Sequence, residues 1–303
     1  MVEIQHHASL FIGLGNMGRP MAINYAAGRE LFVYDTNPVA AAEVAAATNG
    51  IALPDLEYMP SHVRTVILML PNSRIVESVL RTSPGLFKRL PARSLIIDMS
   101  SSEPESTAAL AAEAAAIGID YVDAPVSGGV AKAEVGKLAI MVGGDSTAVE
   151  RAKRHLRPLG ETITHVGPAG TGHAAKALNN LLSATNLAAA AEILSVAATA
   201  GIAPEKMLEV INGSTGRSQA SEFKYPRHVL TGTFDSGFAM DLMLKDLRIA
   251  TNLISQQSAE APIVLTAQAT AEKARELLES AQPDHTEFVR YYEKLNGTSL
   301  RAG

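Results

Sequence analysis

Short, nearly continuous apolar runs alternate with helical stretches through the first half of the chain. The runs fall at 9–13, 31–35, 65–70, 94–99 and 120–123. They are rich in Val, Ile, Leu and Phe, with little of the two-residue alternation of a half-solvated strand. Helical stretches lie between them at 17–27, 39–47, 73–80 and 105–117. Strands apolar on both faces, alternating with helices, predict a parallel sheet covered on both sides. Two more strands are expected at 137–142 and 162–166, with a helix at 146–156 between them.

The pattern changes in the second half. From Thr171 to about Ala200 there is no proline, and Gly172 is the sole glycine. That stretch would reach roughly 45 Å as a helix. Ala, Leu and Ile occupy nearly every face of it, so burial on most sides is expected. Helices follow at 204–212, 239–256 and 263–281, punctuated by Gly and Pro. The division falls at 166–170, giving domains 1–166 and 167–303. The fold class is α/β: a doubly wound parallel sheet, then an all-α C-terminal domain joined by a long interdomain helix. The tail, 295–303, is expected to fray.

Composition narrows the chemistry. The 303 residues are 47% hydrophobic and 19% charged, enough apolar material for packed cores. A net charge of −5 argues against nucleic acid or an anionic membrane as the main partner. There is no cysteine, so disulfides, Cys-ligated metals and thiol nucleophiles are excluded. No uninterrupted apolar run reaches the roughly 18 residues of a spanning helix. The stretch 8–14 is too short for a signal peptide. A soluble, cytoplasmic protein is expected, with His6 and His7 exposed. His165 and His173 have no metal-ligand spacing, so no metal site is expected.

Gly13, Leu14, Gly15, Asn16, Met17 and Gly18 read G-x-G-x-x-G between the first strand and the first helix. Gly13 permits the tight turn, Gly15 admits a pyrophosphate to the backbone, and Gly18 allows close helix–strand packing. The helix N-terminus then offers free N–H groups to the phosphates. Asp35 ends the second strand, 17 residues after Gly18. A carboxylate there accepts ribose hydroxyls and repels a 2′-phosphate. Thr36, Asn37 and Pro38 follow, with no Arg to grip that phosphate. NAD is therefore expected over NADP, in a Rossmann-type domain.

Further cofactor contacts are expected where later strands end, at Leu70, Pro71 and Ser102. Ser102 also stands three residues before Glu105, the spacing of a capping box. Ser127, Gly128 and Gly129 follow another strand; such a loop is either a plain turn or a concavity for a carboxylate. Lys176 and Asn180 are four apart on the long helix, and Asn179 and Ser183 extend that polar stripe. A lysine on an apolar helix either snorkels to solvent or sits desolvated, where it serves as acid or base near neutral pH. Lys245 and Asp246, read alone, form an ordinary solvated helix face.

Four segments together resemble the β-hydroxyacid dehydrogenase family, most of all the 3-hydroxyisobutyrate dehydrogenases. They are FIGLGNMGRP (11–20), DAPVSGG (123–129), GTGHAAKALNN (170–180) and KDLRIA (245–250), in family order over nearly the whole chain. The resemblance implies that Lys176 is the catalytic lysine and that Asn180 holds the substrate. It implies that Ser127, Gly128 and Gly129 bind the substrate carboxylate, and that Leu70, Pro71, Ser102 and Lys245 lie along the cofactor. It further implies homodimers or homotetramers built through the helical half.

The chain departs from the family in two places. It has no tryptophan, whereas many relatives carry one in the helical domain. Here the segment reads GSTGRSQ (213–219), and Arg217 suits a second carboxylate or extra hydroxyls, or else pairs with Glu222. Ile75 stands where some relatives place an asparagine against the cofactor. The expected activity is hydride transfer between NAD and a small 3-hydroxy acid resembling 3-hydroxyisobutyrate. The alternatives are an NAD(P)H-dependent reductase of an aldehyde acid (glyoxylate or succinic semialdehyde) and a non-catalytic NAD sensor of the same fold. The reductase relatives usually carry an Arg after the second strand, which is missing here; sensors usually lose the lysine.

Overall fold

The computed structural model describes residues 8–82 and 85–302; His6 and His7 lie outside them. The chain forms two compact units, the first ending at Lys176 and the second starting at Ala177.

In the first unit β1 (Ala8–Ile12), α1 (Gly18–Tyr25), β2 (Leu31–Tyr34), α2 (Pro38–Thr48) and β3 (Ile51–Ala52) come first. Next are β4 (Val63–Leu68), α3 (Ser73–Arg81), α4 (Leu86–Arg89), β5 (Leu95–Asp98), α5 (Pro104–Ala116) and β6 (Asp120–Asp123). The unit closes with β7 (Val126–Ser127), α6 (Gly129–Glu134), β8 (Leu138–Gly143), α7 (Ser146–Leu156) and β9 (Gly160–Gly167). Among the described residues the sheet has nine strands, ordered β3-β2-β1-β4-β5-β6-β8-β7, with β9 on β8. From β3 to β6 every pairing is parallel.

The two-residue period of a strand explains why these runs lack polar alternation. Phe11, Ile67 and Ile97 face one side and pack with Met21, Val44 and Val149 of α1, α2 and α7. Leu10, Ile12, Val66, Leu68 and Ile96 face the other and pack with Val76, Leu80 and Leu110 of α3 and α5. Both faces are dry, as a doubly wound sheet requires. The far edge departs from the expected parallel order: β8 runs antiparallel to β6 and β7. Composition carries no strand direction, so the run at 137–142 did not reveal this.

The second unit is built on α8 (Thr171–Thr199), α9 (Pro204–Asn212), α10 (Met240–Gln256), α11 (Pro262–Glu276) and α12 (Val289–Asn296). Leu187, Ala191 and Leu194 of α8 share its core with Tyr225, Leu244, Leu247 and Phe288. By length and composition α8 is apolar enough to cross a membrane, with a window of mean hydropathy 1.5. This differs from the expectation because its scattered Asn and Ser break every uninterrupted run yet barely lower the mean. A π-helical segment, Ala220–Val229, holds Pro226 in its interior; that proline hid the element from the periodicity. The tail is not frayed. Leu300 is fully buried, its N–H donates to Glu293 Oε1 at 2.7 Å, and Arg301 pairs with Glu293 at 2.9 Å.

Candidate active site

The glycine loop has the backbone its spacing demands. Gly13 has φ +93°, and a Cβ there would stand 2.3 Å from the Met69 carbonyl oxygen. A Cβ on Gly18 would stand 1.9 Å from the Gly13 carbonyl oxygen. Around Gly15 the space is open, with nothing within 4 Å. Two of these glycines thus serve packing, and the middle one leaves room. Met17 caps α1 without a side-chain hydrogen bond, and the Arg19 N–H is taken by the Gly15 carbonyl at 3.0 Å. Asn16 is exposed, whereas Leu14 is buried. The Leu14 N–H donates to Asp35 Oδ2 at 2.6 Å, and the Asn37 N–H donates to Oδ1 at 2.8 Å. Asp35 is therefore fixed beside the loop, and each oxygen keeps lone-pair capacity.

Beyond the loop, the ends of β4 and β5 are tied to each other. Ser100 Oγ accepts the Leu70 N–H at 2.9 Å. The Ser100 N–H donates to buried Asp98 Oδ1 at 3.0 Å, and Tyr121 Oη donates to Oδ2 at 2.8 Å. Burial and the adjacent Asp98 carboxylate push the Tyr121 hydroxyl well above its ordinary range, so it stays a donor. Ser102 is buried, and its Oγ has no partner. The expected capping box is absent: Glu103 occupies the N-cap of α5 without a side-chain bond. Asn72 caps α3 by accepting the Ile75 N–H at 3.1 Å, which places Ile75 in the first turn of that helix.

The start of α8 is anchored to the end of β6. Asp123, fully buried, accepts the Gly170 N–H at 2.8 Å on Oδ1 and the His173 N–H at 2.9 Å on Oδ2. A Cβ on Gly172 would lie 2.7 Å from Asp123 Oδ2, which accounts for that glycine. His173 Nε2 donates to the Ser100 carbonyl at 3.0 Å. A carbonyl only accepts, so Nε2 carries a proton; Nδ1 lies 2.8 Å from Thr107 Oγ1, which also donates to the Glu103 carbonyl at 3.1 Å. The first turn of α8 is thus tied to β5, β6 and α5, and Lys176 lies one turn further along. Sequence reasoning did not assign Asp123 or His173 this role; a carboxylate next to an X-Pro turn and a Gly-x-Gly-His helix start were its only local signals.

Ser127, Gly128 and Gly129 join β7 to α6. Gly128 has φ +138° and Gly129 φ +70°; both are exposed, and no side chain caps α6. Both glycines thus take left-handed backbone, while half-buried Ser127 pairs with Ala139 across the β7–β8 ladder.

In the second unit, Asn180 Nδ2 donates to Asp246 Oδ2 at 2.7 Å, and Lys245 Nζ lies 3.1 Å from Oδ1. Asp246 is only 6% exposed, so the 245–246 pair is no solvated face. Asn180 Oδ1 lies away from that contact and accepts from Asn179 Nδ2 at 3.4 Å, which leaves it a second lone pair. Ser183 follows on the same face and accepts from Lys224 Nζ at 3.2 Å. Lys224 lies on the π-helical segment and was not foreseen. Arg217 is exposed; among the described residues no ion pair joins it to Glu222 or to this cluster.

Comparison with known proteins agrees with this architecture. Residues 10–167 match the family model described as the NAD binding domain of 6-phosphogluconate dehydrogenase. Residues 170–292 match the one described as NAD-binding of NADP-dependent 3-hydroxyisobutyrate dehydrogenase. The chain is similar to 2-(hydroxymethyl)glutarate dehydrogenase of Eubacterium barkeri, 39% identical over 97% of each chain. The chain belongs to the 3-hydroxyisobutyrate dehydrogenase family. That family comprises NAD(P)-dependent hydroxyacid dehydrogenases. Another member, the 2-hydroxy-3-oxopropionate reductase of Escherichia coli K12, is 36% identical over 85% of this chain and 88% of its own. Among solved structures, Mycobacterium tuberculosis 3-hydroxyisobutyrate dehydrogenase with L-serine superposes with a TM-score of 0.86. It is 32% identical and covers 94% of this chain and 99% of that one.

Proposed function

We propose that the protein is an NAD-dependent dehydrogenase of a small 3-hydroxy acid, with Lys176 as the acid/base. The observation that carries this reading is the anchoring of Lys176. Asp123 holds the Gly170 and His173 N–H groups one turn before it, within the unit that carries the open glycine loop and Asp35, and this supports the reading.

The residues present fit a dinucleotide. Gly15 leaves space where a pyrophosphate would approach the N-terminus of α1, which no side chain caps. Asp35 stands where ribose hydroxyls would need acceptors. The orphaned, buried Ser102 Oγ supplies a further donor or acceptor at a strand end. Leu70 and Pro71 line the end of β4 beside it. The Asp35 carboxylate, with Thr36, Asn37 and Pro38 after it, favours NAD over NADP by repelling a 2′-phosphate. When bound, the nicotinamide accepts the hydride from the hydroxyl-bearing carbon.

The remaining work falls to the chain's own side chains. Lys176, in its neutral form, takes the hydroxyl proton as the carbonyl forms, and returns it in the reverse direction. Asn180, oriented by Asp246, accepts a hydrogen bond on Oδ1 and fixes the substrate one turn along from Lys176. Lys245 supports this cluster through Asp246. Ser127, through its hydroxyl, and the amides of exposed Gly128 and Gly129 hold the carboxylate next to the reacting carbon, so positioning supplies much of the rate.

The substrates named in these relatives share one chemical core, a three-carbon acid oxidised or reduced at C3. They differ at C2, which bears a methyl, a hydroxyl or a carboxyethyl group. The absence of tryptophan and the polar 213–219 segment with Arg217 favour a polar C2 substituent. The second reading, reduction of an aldehyde acid, is the same chemistry run backwards, and the reductase relative supports it. A homo-oligomer through the helical unit belongs to this proposal. Leu178, Leu182, Ile193 and Val196 of α8 are all at least 45% exposed and would be covered in it; light scattering gives the mass.

The test is spectrophotometric. Protein, NAD or NADP, and a panel of 3-hydroxyisobutyrate, 3-hydroxypropionate, serine, glycerate and 2-(hydroxymethyl)glutarate are mixed, and absorbance of the reduced cofactor is followed. Turnover with at least one acid, faster with NAD, is expected. Measurable NAD binding without turnover of any acid would favour the sensor.

A further inference from the structure

We infer that Lys224, backed by Ser183, forms a seat for the distal carboxylate of a dicarboxylic 3-hydroxy acid. The inference rests on the dehydrogenase reading above, because the seat is defined relative to Asn180.

Lys176, Asn180 and Ser183 follow the i, i+4, i+7 spacing of one helical face. Ser183 lies about 4.5 Å along the axis beyond Asn180. The Lys224 ammonium reaches this face, since its Nζ donates to Ser183 Oγ at 3.2 Å. Ser183 Oγ is an acceptor in that contact, and its own proton enters no other hydrogen bond among the described residues. A carboxylate arriving there meets an ammonium and a hydroxyl donor together, the pairing that makes charge-assisted hydrogen bonds.

The segment that carries Lys224 is rigidly held. Tyr225 is fully buried beside it and donates its hydroxyl to the Leu187 carbonyl at 2.7 Å. Asn212 Nδ2 donates to the Ser221 carbonyl at 3.0 Å. Pro226 lies within the same π-helical turns, and such turns recur where a helix must aim a side chain. Burial lowers the pKa of neighbouring His285, opposed by its hydrogen bond to Asp284 and aided by the Lys224 charge, which therefore reaches it.

A glutarate-like chain that puts its reacting end at Asn180 carries its second carboxylate a short way along α8. Ser183 and Lys224 stand at that distance. Arg217, the cation singled out from the sequence, is exposed and bonded to none of these groups, so it is the weaker candidate.

The test compares wild type with Lys224→Met and Lys224→Arg, in two readouts. The first is kcat/KM for 2-(hydroxymethyl)glutarate divided by that for 3-hydroxyisobutyrate. Loss of one charge-assisted contact lowers this ratio roughly 10- to 100-fold in Lys224→Met, with the ratio largely kept in Lys224→Arg. The second is calorimetric binding of glutarate and butyrate, which are not oxidised, to the NAD-loaded protein. Wild type is expected to prefer glutarate, and Lys224→Met to lose that preference. A parallel fall for both hydroxy acids marks a structural role and overturns the inference. So does a wild type indifferent to the second carboxylate, or a preference abolished by Arg217→Ala and not by Lys224→Met. A wild type that prefers glutarate yet oxidises nothing would sink the dehydrogenase reading and leave the seat standing.

Discussion

Three glycines in one loop do different jobs, and the difference can be measured. Gly13 and Gly18 face backbone oxygens that a Cβ would strike, whereas Gly15 faces open space. Gly15→Val should therefore keep the wild-type melting temperature and lose NAD binding by isothermal titration. Gly18→Val should lower the melting temperature itself. Asp35 is equally specific. In Asp35→Ala the ribose acceptor and the Leu14 contact go together. The KM for NAD should rise about tenfold or more, and the NAD-over-NADP preference should shrink. An unchanged preference would show that Asp35 does not read the ribose.

At the scale of elements, the join between β6 and α8 carries the most weight. Asp123 accepts two backbone N–H groups in a dry site. Asp123→Ala leaves both donors unpaired, at a cost of about 3 kcal/mol or more. Urea unfolding of the first transition should show that loss, and turnover should fall further as Lys176 shifts. His173→Leu should cost less, because it removes only side-chain bonds to Ser100 and Thr107.

This join also marks the limit of what the sequence discloses. β1, β2, β4, β5 and β6 were legible because each is a largely dry apolar run, whereas β3, two residues long with Ile51 exposed, gave no such signal. The polar stripe at Lys176, Asn180 and Ser183 was legible because helical periodicity places those residues on one face. Asp123 with His173, and Lys224 with Ser183, bring together residues about forty or more positions apart, and no local pattern announces such partners. Ser102 misled in the opposite way: its spacing to Glu105 mimics a cap, yet α5 starts one residue later and leaves that hydroxyl unpaired. Pro226 concealed a π-helical segment, and the apparent tail proved to be tied down by Glu293.

For the whole molecule, stability should depend on acidity through buried imidazoles, His155 and His285, of which His155 offers the test. His155 is held by neighbours on both ring nitrogens. Arg154 Nε donates to Nε2 at 3.1 Å, so Nδ1 carries the proton and donates to Tyr25 Oη at 2.6 Å; Tyr25 in turn reaches Ser9 Oγ at 2.8 Å. Burial, aided by the charges of Arg154, Arg29 and Arg151, pushes its pKa down to about 3. An unfolded chain protonates the same ring near pH 6.5. The unfolded state thus binds the proton first, and folding stability drops as pH falls from about 6.5 towards 3. His155→Phe, which keeps the ring packed on Tyr25, should flatten that decline in urea midpoints measured across the window. An equally steep decline would place the acid sensitivity elsewhere.

The central claim is that the Lys176 amine handles the proton. The direct measurement is turnover and NAD affinity in Lys176→Met, set against wild type, with the best acid of the panel. The account predicts an unchanged NAD dissociation constant and a kcat lower by on the order of 10²-fold or more. A variant that binds NAD normally and still turns over near the wild-type rate would contradict it.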